Sequence, residues 1–340
     1  MNIALQIVAA PISAVYAAVM HVRNWLYQND VLKSHTVAVP TICVGNLAVG
    51  GTGKTPHVEY LLRLLTPRYR VAVLSRGYKR KTHGFVLADE QADAARIGDE
   101  AMQIHSKFPQ VTVAVCEDRV KGIELLMARQ PQIQVVILDD AYQHRRLRCG
   151  FYLLLTAHDR LYVDDCFLPL GRLRDTRDQS DRASAVVVTK CPASMKPIDR
   201  RIIANKLALP PVQPVYFSHI VYPSIDPQTL GLNASASVLV LTGIAHPEYL
   251  LEQVKATYPQ AQWMAFADHH SFSASDIARI EKAARSVQRV FTTEKDYTRL
   301  QLLPLSQALQ DKLTPLPITV QITNHAELDT QILKYIKQHL

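Results

Sequence analysis

The segment Ala48-Val49-Gly50-Gly51-Thr52-Gly53-Lys54-Thr55 follows the apolar run Val37 to Val44 and precedes a helical pattern. In that strand–loop–helix order, glycines let successive backbone N–H groups turn onto phosphate oxygens. Lys54 then reaches the β- and γ-phosphates, and the Thr55 hydroxyl is placed to ligate Mg²⁺. The chemistry this predicts is the handling of a nucleoside triphosphate. Ala48 stands where the strict pattern has glycine, a small departure.

Other chemistry-bearing residues are arranged around that loop in the sequence. Val135-Val136-Ile137-Leu138 is an apolar run ending in Asp139 and Asp140. A phosphate-loop protein keeps its Mg²⁺-proximal acids at such a strand end, because the strand ends of a parallel sheet face the crevice that holds the loop. Gly98-Asp99-Glu100 opens a helical pattern; Asp99 there is a helix-capping acid or a carboxylate that accepts a hydroxyl proton during phosphoryl transfer. Asp268-His269-His270 falls in a loop, and reads as a base with its orienting partner, a metal pair, or surface residues. Basic clusters at Arg76 to Lys81, Arg145 to Arg148 and Arg172 to Arg174 follow apolar strands and can converge on one anionic ligand. Thr189-Lys190-Cys191-Pro192 lacks the Asn and Asp of a guanine-reading loop, so ATP is the expected nucleotide.

These residues need a scaffold, and the hydrophobic pattern supplies it. Val71 to Ser75, Thr112 to Val115, Val135 to Leu138, Phe151 to Thr156 and Ala185 to Thr189 read as buried strands. Helical patterns at 56–65, 99–107 and 119–129 lie between the first of them. Alternating strands and helices imply a parallel sheet covered on both faces. The Pro-rich stretch Leu209 to Pro214 reads as a linker, after which strands at 238–242, 263–266 and 290–293 and helices at 247–257 and 274–287 restart the pattern. The expected architecture is α/β: a P-loop NTPase-like parallel-sheet domain over 36–212, a smaller α/β domain over 213–340, and an N-terminal membrane-associated helix within 1–35.

The chain has 340 residues, 48% of them hydrophobic and 20% charged, with a net charge of +8. That is a globular composition with an excess of positive charge, which points to a nucleic acid, an anionic membrane surface or a phosphorylated substrate as partner. Aromatic interleaving among the basic clusters is sparse, which argues against nucleic acid. Five dispersed cysteines with no C-x-x-C suggest neither a disulfide framework nor a zinc site. From Ile3 to Met20 only Gln6 and Ser13 are clearly polar, and Arg23, Trp25 and Tyr27 follow, residues common at membrane interfaces. Pro11 interrupts the run. A helix lying on the membrane is expected, with a span or a core helix as the alternatives.

Val44 to Pro56, Ser75-Arg76-Gly77-Tyr78, Gly98-Asp99-Glu100, Leu138-Asp139-Asp140-Ala141-Tyr142-Gln143-His144 and Leu168-Pro169-Leu170-Gly171-Arg172-Leu173-Arg174 together resemble the tetraacyldisaccharide 4′-kinase (lipid A 4′-kinase) family. Leu241 to Ala245, Asp268-His269-His270 and Thr292 to Asp296 extend the resemblance over nearly the whole chain. It implies transfer of the ATP γ-phosphate to the 4′-hydroxyl of an acylated glucosamine disaccharide 1-phosphate, at the cytoplasmic face of the bacterial inner membrane, with no nucleic-acid partner. It also implies two α/β/α domains with the active site in the cleft between them. Asp99 matches the family's catalytic base and His269 its assistant, while Asp139 and Asp140 match the Mg²⁺-proximal acids and Glu100 a further metal contact. Arg76, Tyr78, Arg119, Gln143, His144 and Arg172 are the expected substrate-binding residues. Leu173-Arg174-Asp175 carries a shorter acid where the family has Leu-Arg-Glu, and Ala141-Tyr142 replaces Gly-Phe. The rivals from other classes are a membrane-associated NTPase switch and a nucleic-acid-dependent ATPase. The first is disfavoured because Val49 stands where such ATPases carry a signalling lysine.

Overall fold

The computed structural model describes residues 3–233, 235–244, 247–267 and 270–340. The chain divides into two compact units, Met1–Ile220 with Val320–Leu340, and Val221–Thr319. In chain order the first unit carries α1 (Ile3–Gln28), β1 (Thr41–Asn46), α2 (Lys54–Leu65), β2 (Val71–Ser75), β3 (Val86–Leu87), α3 (Ala94–Ile97), α4 (Asp99–Lys107) and β4 (Thr112–Val115). It continues with α5 (Arg119–Arg129), β5 (Val135–Asp139), β6 (Phe151–Ala157), β7 (Ala185–Thr189), α6 (Pro197–Leu207) and β8 (Val215–Val221). The second unit holds β9 (Val238–Thr242), α7 (Glu248–Thr257), β10 (Gln262–Ala265), α8 (Ala274–Ala284), β11 (Arg289–Thr293), α9 (Glu294–Leu300), α10 (Gln307–Gln310) and β12 (Leu313–Leu316). The chain then returns through β13 (Thr319–Ile322) and α11 (His325–His339).

The larger sheet runs β13-β8-β7-β6-β1-β5-β2-β4-β3. From β8 to β4 the paired strands are parallel, and β3 is antiparallel to β4. Because side chains alternate across a strand, each central strand feeds two cores. Val136 and Leu138 of β5 join Cys43 of β1 on one face, with Ile123 and Leu126 of α5 and Leu207 of α6. Val135 and Ile137 join Ile42 and Val44 on the other, with Leu61 and Leu62 of α2, Ile104 of α4 and Ile332 of α11. Chain order reverses at β1: β5 and β2 lie to one side, β6 and β7 to the other. A sheet of this kind binds ligands in the crevice beyond its strand ends at that switch point.

Three boundaries differ from the sequence reading. Val37 to Pro40 is not strand; Pro40 offers no amide donor, and β1 starts at Thr41. The division at 212/213 is replaced by one after Ile220, because β8 adds to β7 in register, Val186 opposite Val215. The stretch Leu209 to Pro214 is therefore an internal loop of the larger unit, held by the Gln213 side-chain amide donating to the Ala183 carbonyl at 2.7 Å. The C-terminus also leaves the smaller unit: Leu328, Ile332 and Ile336 of α11 are wholly buried in the larger core.

The smaller unit is a second parallel sheet, β10-β9-β11-β12. Ile277 and Ile280 of α8 cover one face, and Leu250 and Val254 of α7 the other.

The N-terminal helix runs unbroken through Pro11. Among the described residues no helix is long and apolar enough to cross a membrane. One side of α1 packs on the larger unit through Ala9, Ser13, Met20 and Asn24. Its contacts there are mixed, with Tyr16 and His21 against the Phe167 ring and several hydrogen bonds. Ser13 Oγ donates to the Phe167 carbonyl at 2.9 Å, and the Asn24 amide donates to Asp175 Oδ1 at 2.7 Å and Thr176 Oγ1 at 2.8 Å. The other side presents Ile12, Val15, Val19, Val22 and Trp25, each 55–65% exposed. That is the reverse of a helix packed on a protein core, which buries its apolar stripe.

Candidate active site

The phosphate loop leaves β1 after Asn46 and enters α2 at Lys54. Gly50 and Gly53 have φ of 115° and 82°, conformations that side chains disfavour, so the glycines there are a backbone requirement. The Val49 N–H donates to the Arg172 carbonyl at 2.8 Å, and the Thr52 N–H to the Gly50 carbonyl at 3.0 Å. Among the described residues, the N–H groups of Gly50, Gly51 and Gly53 find no acceptor in the chain. With the uncapped first turn of α2 they form a set of donors suited to an anion. Ala48, at the base of the loop, bridges to Leu173.

The carboxylates stand at the neighbouring strand end. Val44 of β1 is opposite Asp139 of β5, and the Asp140 N–H donates to the Val44 carbonyl at 3.0 Å. Asp139 is 3% exposed, and its Oδ1 has no hydrogen-bond partner. Burial, with the charges of Glu100 and Asp140 added, pushes its carboxyl up to about 7. Asp140 behaves oppositely. Burial works upward there too, but Lys54, Arg174 and Arg119 outweigh it and hold the carboxyl below its ordinary value. Lys54 Nζ lies 3.8 Å from Asp140 Oδ2, and Arg174 forms an ion pair with the same carboxylate. The two adjacent acids therefore differ: one is neutralised by cations, the other is left buried beside like charge.

A cavity of about 350 Å³ opens beside them. Asp139, Asp140, Glu100 and Glu117 line it together with Arg76, Arg119 and Arg174, and Ser75, Tyr78, Gln143 and His144 complete its wall. Acids and arginines facing one space suit a phosphate with its counter-cation. Arg119 is 3% exposed and donates to the Asp140 carbonyl at 3.3 Å. Burial first, and then the Arg119 charge, push the His144 imidazole down to about 4. It is therefore neutral at pH 7, and its Nε2 accepts the Arg119 N–H at 3.3 Å. Gln143 donates to the Asn46 carbonyl at 2.8 Å, and its own carbonyl receives Arg23 of α1, so the N-terminal helix touches the cavity wall.

Five of the six expected substrate residues, Arg76, Tyr78, Arg119, Gln143 and His144, are thus brought together with Asp139, Asp140 and Glu100. Arg172 is not among the lining residues. It lies beside the loop, its guanidinium 3.6 Å from where a Cβ on Gly50 would stand. Asp99 is exposed as the first residue of α4, outside the cavity lining. The helix cap is Gly98, so the capping reading of Asp99 does not hold. Asp268 and His269 lie outside the described residues. His270 is bound within its own unit, its Nε2 2.9 Å from Asp276. Sequence reasoning did not single out Glu117, although its position just past the end of β4 was a usable clue, and it offered Arg174 only as part of the basic cluster Arg172 to Arg174. It gave Asp175 no role; the side chain is fully buried and anchors Asn24 of α1. The smaller unit's own cavity, about 530 Å³, is lined by Tyr297, Gln301, Gln307, Gln310 and Asp311 among others, with a single carboxylate and no cation to serve phosphate chemistry.

Comparison with known proteins gives the family. Residues 5–337 match the profile of a family described as LpxK, Tetraacyldisaccharide-1-P 4′-kinase. The chain is 45% identical to a protein of Bacteroides thetaiotaomicron named Tetraacyldisaccharide 4′-kinase, over 97% of this chain and 93% of that one. It is 44% identical to the Flavobacterium johnsoniae protein of the same name, over 97% of each. Among solved structures, that of LpxK from Aquifex aeolicus in complex with ATP superposes with a TM-score of 0.76 at 27% identity, covering 98% of this chain and 99% of that one.

Proposed function

The chain belongs to the tetraacyldisaccharide-1-P 4′-kinase family, and from that premise we propose how its residues carry out the transfer. The protein is an ATP-dependent kinase that phosphorylates the 4′-position of a lipid A precursor, a tetraacylated disaccharide 1-phosphate. One observation carries the residue assignment: a glycine-rich loop with unpaired N–H groups stands next to a cavity where acids, the buried Asp139 among them, meet arginines. The N–H groups of Gly50, Gly51, Gly53 and the first turn of α2, with the Lys54 side chain, hold the ATP phosphates. The 4′-hydroxyl oxygen attacks the γ-phosphorus, the bond from that phosphorus to the β,γ-bridging oxygen breaks, and ADP leaves. Asp99 accepts the hydroxyl proton and His269 assists it. Arg76, Arg119 and Arg174 gather the negative charge of the phosphates.

Mg²⁺ fits this donor set. Asp139 presents a buried oxygen with no partner and a carboxyl raised to about 7, which a nearby divalent cation would bring back to its charged form. Asp139, Asp140 and Glu100, no more than two of them at once, would hold it with the Thr55 hydroxyl, and bound there it would neutralise phosphate charge. Among the described residues no three His, Cys, Asp or Glu side chains form a ready metal cage. That accords with a cation that relies on substrate phosphates and water for the remaining positions.

The outward stripe of Ile12, Val15, Val19, Val22 and Trp25 supports a location on a membrane surface, and the resemblance to the kinase family makes that surface the cytoplasmic face of the inner membrane in this reading. The helix lies in the interface with this stripe in the acyl region, and its polar side stays bound to the protein. A lipid substrate and the helix that holds the enzyme at its surface then belong to one design. The test is incubation of purified protein with ATP labelled in the γ-phosphate, Mg²⁺ and the disaccharide 1-phosphate in detergent. Label should appear in a bisphosphorylated lipid, and a product labelled only as inorganic phosphate would refute the kinase assignment.

A further inference from the structure

A loop that binds phosphate through N–H groups has a second requirement, since its carbonyls must point away and need partners of their own. In a trans peptide the C=O and the following N–H point in opposite directions, so holding one aims the other. Two buried side chains hold carbonyls of this loop. Thr189 Oγ1, at the end of β7, donates to the Thr52 carbonyl at 2.9 Å. His57 Nδ1 lies 2.7 Å from the Gly53 carbonyl, which the His57 N–H also approaches at 3.3 Å. A carbonyl can only accept, so Nδ1 carries the proton. Nε2 is then the acceptor for the Ser218 hydroxyl of β8 at 3.0 Å. His57 is completely buried, with Ser218 and Thr189 each 1% exposed, so water does not compete for these bonds.

We propose that His57 and Thr189 are positioning residues for the nucleotide: by fixing the Gly53 carbonyl against α2 and the Thr52 carbonyl against β7, they aim the N–H groups of Lys54 and Gly53 at the ATP phosphates. The frame behind them is continuous. The Ser218 carbonyl accepts the Cys191 N–H at 2.9 Å, tying β8 to the turn that follows Thr189. The loop is thus shaped from beneath by the two strands that follow β6, and not by its own sequence alone. This rests on the reading of residues 48–55 as the ATP site.

The experiment compares ATP affinity, from titration of the full chain with MgATP, with turnover parameters for ATP and for the lipid acceptor. His57→Asn places an amide where Nδ1 stood and keeps the bond to Gly53; His57→Gln places one where Nε2 stood and loses it. Thr189→Val removes only the hydroxyl at nearly constant volume. His57→Gln and Thr189→Val should each weaken ATP binding about tenfold, the loss of one buried hydrogen bond. His57→Asn should stay within about threefold of wild type, and the KM for the lipid should be unchanged in all three. Equal losses in His57→Asn and His57→Gln, equal changes in both KM values, or reduced thermal stability with unchanged ATP affinity would overturn the proposal. Lys54→Ala run alongside separates the two levels: if it retains ATP affinity, the loop assignment itself fails.

Discussion

Asp139 is the group whose burial predicts a measurable conflict between stability and function. Its carboxyl is 3% exposed, has an oxygen without a partner, and is raised to about 7 from an ordinary value near 3.8. Between those two pH values the folded chain holds a proton that the unfolded chain has released, so folding stability falls as pH rises through this window and levels off above about 7. A shift of about three units corresponds to about 4 kcal/mol, all of it borne by the metal-free protein at pH 8. Asp139→Asn removes the charge with little change in volume. In chelator at about pH 8 the variant should be more stable than the wild type by up to about 4 kcal/mol. At about pH 5.5 the gain should be smaller by about 2 kcal/mol. For a unit of this size that difference is roughly 4 to 8 °C in the thermal midpoint, readable by circular dichroism. Phosphoryl transfer by the same variant should fall at least ~10²-fold, because the negative charge that holds the cation is gone and one carboxylate oxygen becomes an NH2 group. A variant that is destabilised equally at both pH values would show that Lys54 and Arg119 already compensate Asp139, and the reasoning from burial would fail.

Lys54→Ala should lower turnover by about 3 kcal/mol in barrier, roughly 10²-fold or more, with little change in the thermal midpoint; near-normal turnover would remove the loop as the ATP site. Gly98→Ala should destabilise the protein by about 1–3 kcal/mol in denaturant melts and lower turnover, since Gly98 has φ 87° and an added Cβ would stand 2.9 Å from the Tyr78 carbonyl, next to Asp99. Asp99→Ala and His269→Ala should each reduce turnover ~10²-fold, and the double variant should be less impaired than the product of the singles; strictly multiplicative losses would assign them independent roles. Val15→Glu with Val19→Glu should release the protein from anionic lipid vesicles in a co-sedimentation assay while leaving ATP binding intact. This is a cleaner test than deleting α1, which would also strip Asp175 of its Asn24 partner; unchanged sedimentation would return the stripe to an ordinary surface.

The parts of the fold readable from sequence were those in which local pattern and final environment agree. β2, β4, β5, β6 and β7 are short apolar runs because both faces of a covered parallel sheet are buried, and each appears within a residue or two of its expected place. β8 and β13 escaped for the complementary reason. Val215 to Val221 reads VYFSHIV, a run with Ser218 and His219 inside it, and Thr319 to Ile322 is four residues long. Neither announces which sheet it will join. The proline-rich stretch before β8 looked like a linker because proline marks any chain turn, and only strand pairing decides whether that turn lies between units or within one. For α1 the composition was informative but the facing was not. Alanines occupy both sides, so only the packed residues, Ala9, Ser13, Met20 and Asn24, show that the stripe of Ile12, Val15, Val19, Val22 and Trp25 faces outward.

The site divides along a similar line. Glycine, lysine and carboxylate at set spacing report on chemistry wherever they occur, which is why Gly50 to Thr55, Asp139 and Asp140 stood out. From the residues alone the arginines could be nominated only as loop clusters, and Arg119 only through the family resemblance; that Arg119 and Arg174 both reach Asp140 while Arg172 turns to the loop depends on the chain path after β5 and β6. His57 and Thr189 were beyond reach for a different reason. Each acts on a carbonyl, and carbonyls are the same in every residue, so no sequence pattern records the contact. His57 bears on Gly53 from one helical turn away, but Thr189 reaches Thr52 from far along the chain and Ser218 reaches His57 from farther still. The loop sequence specifies which backbone conformations are allowed. The direction in which its donors point is set by the strands beneath it, so two chains with the same glycine-rich segment need not present phosphate with the same donors.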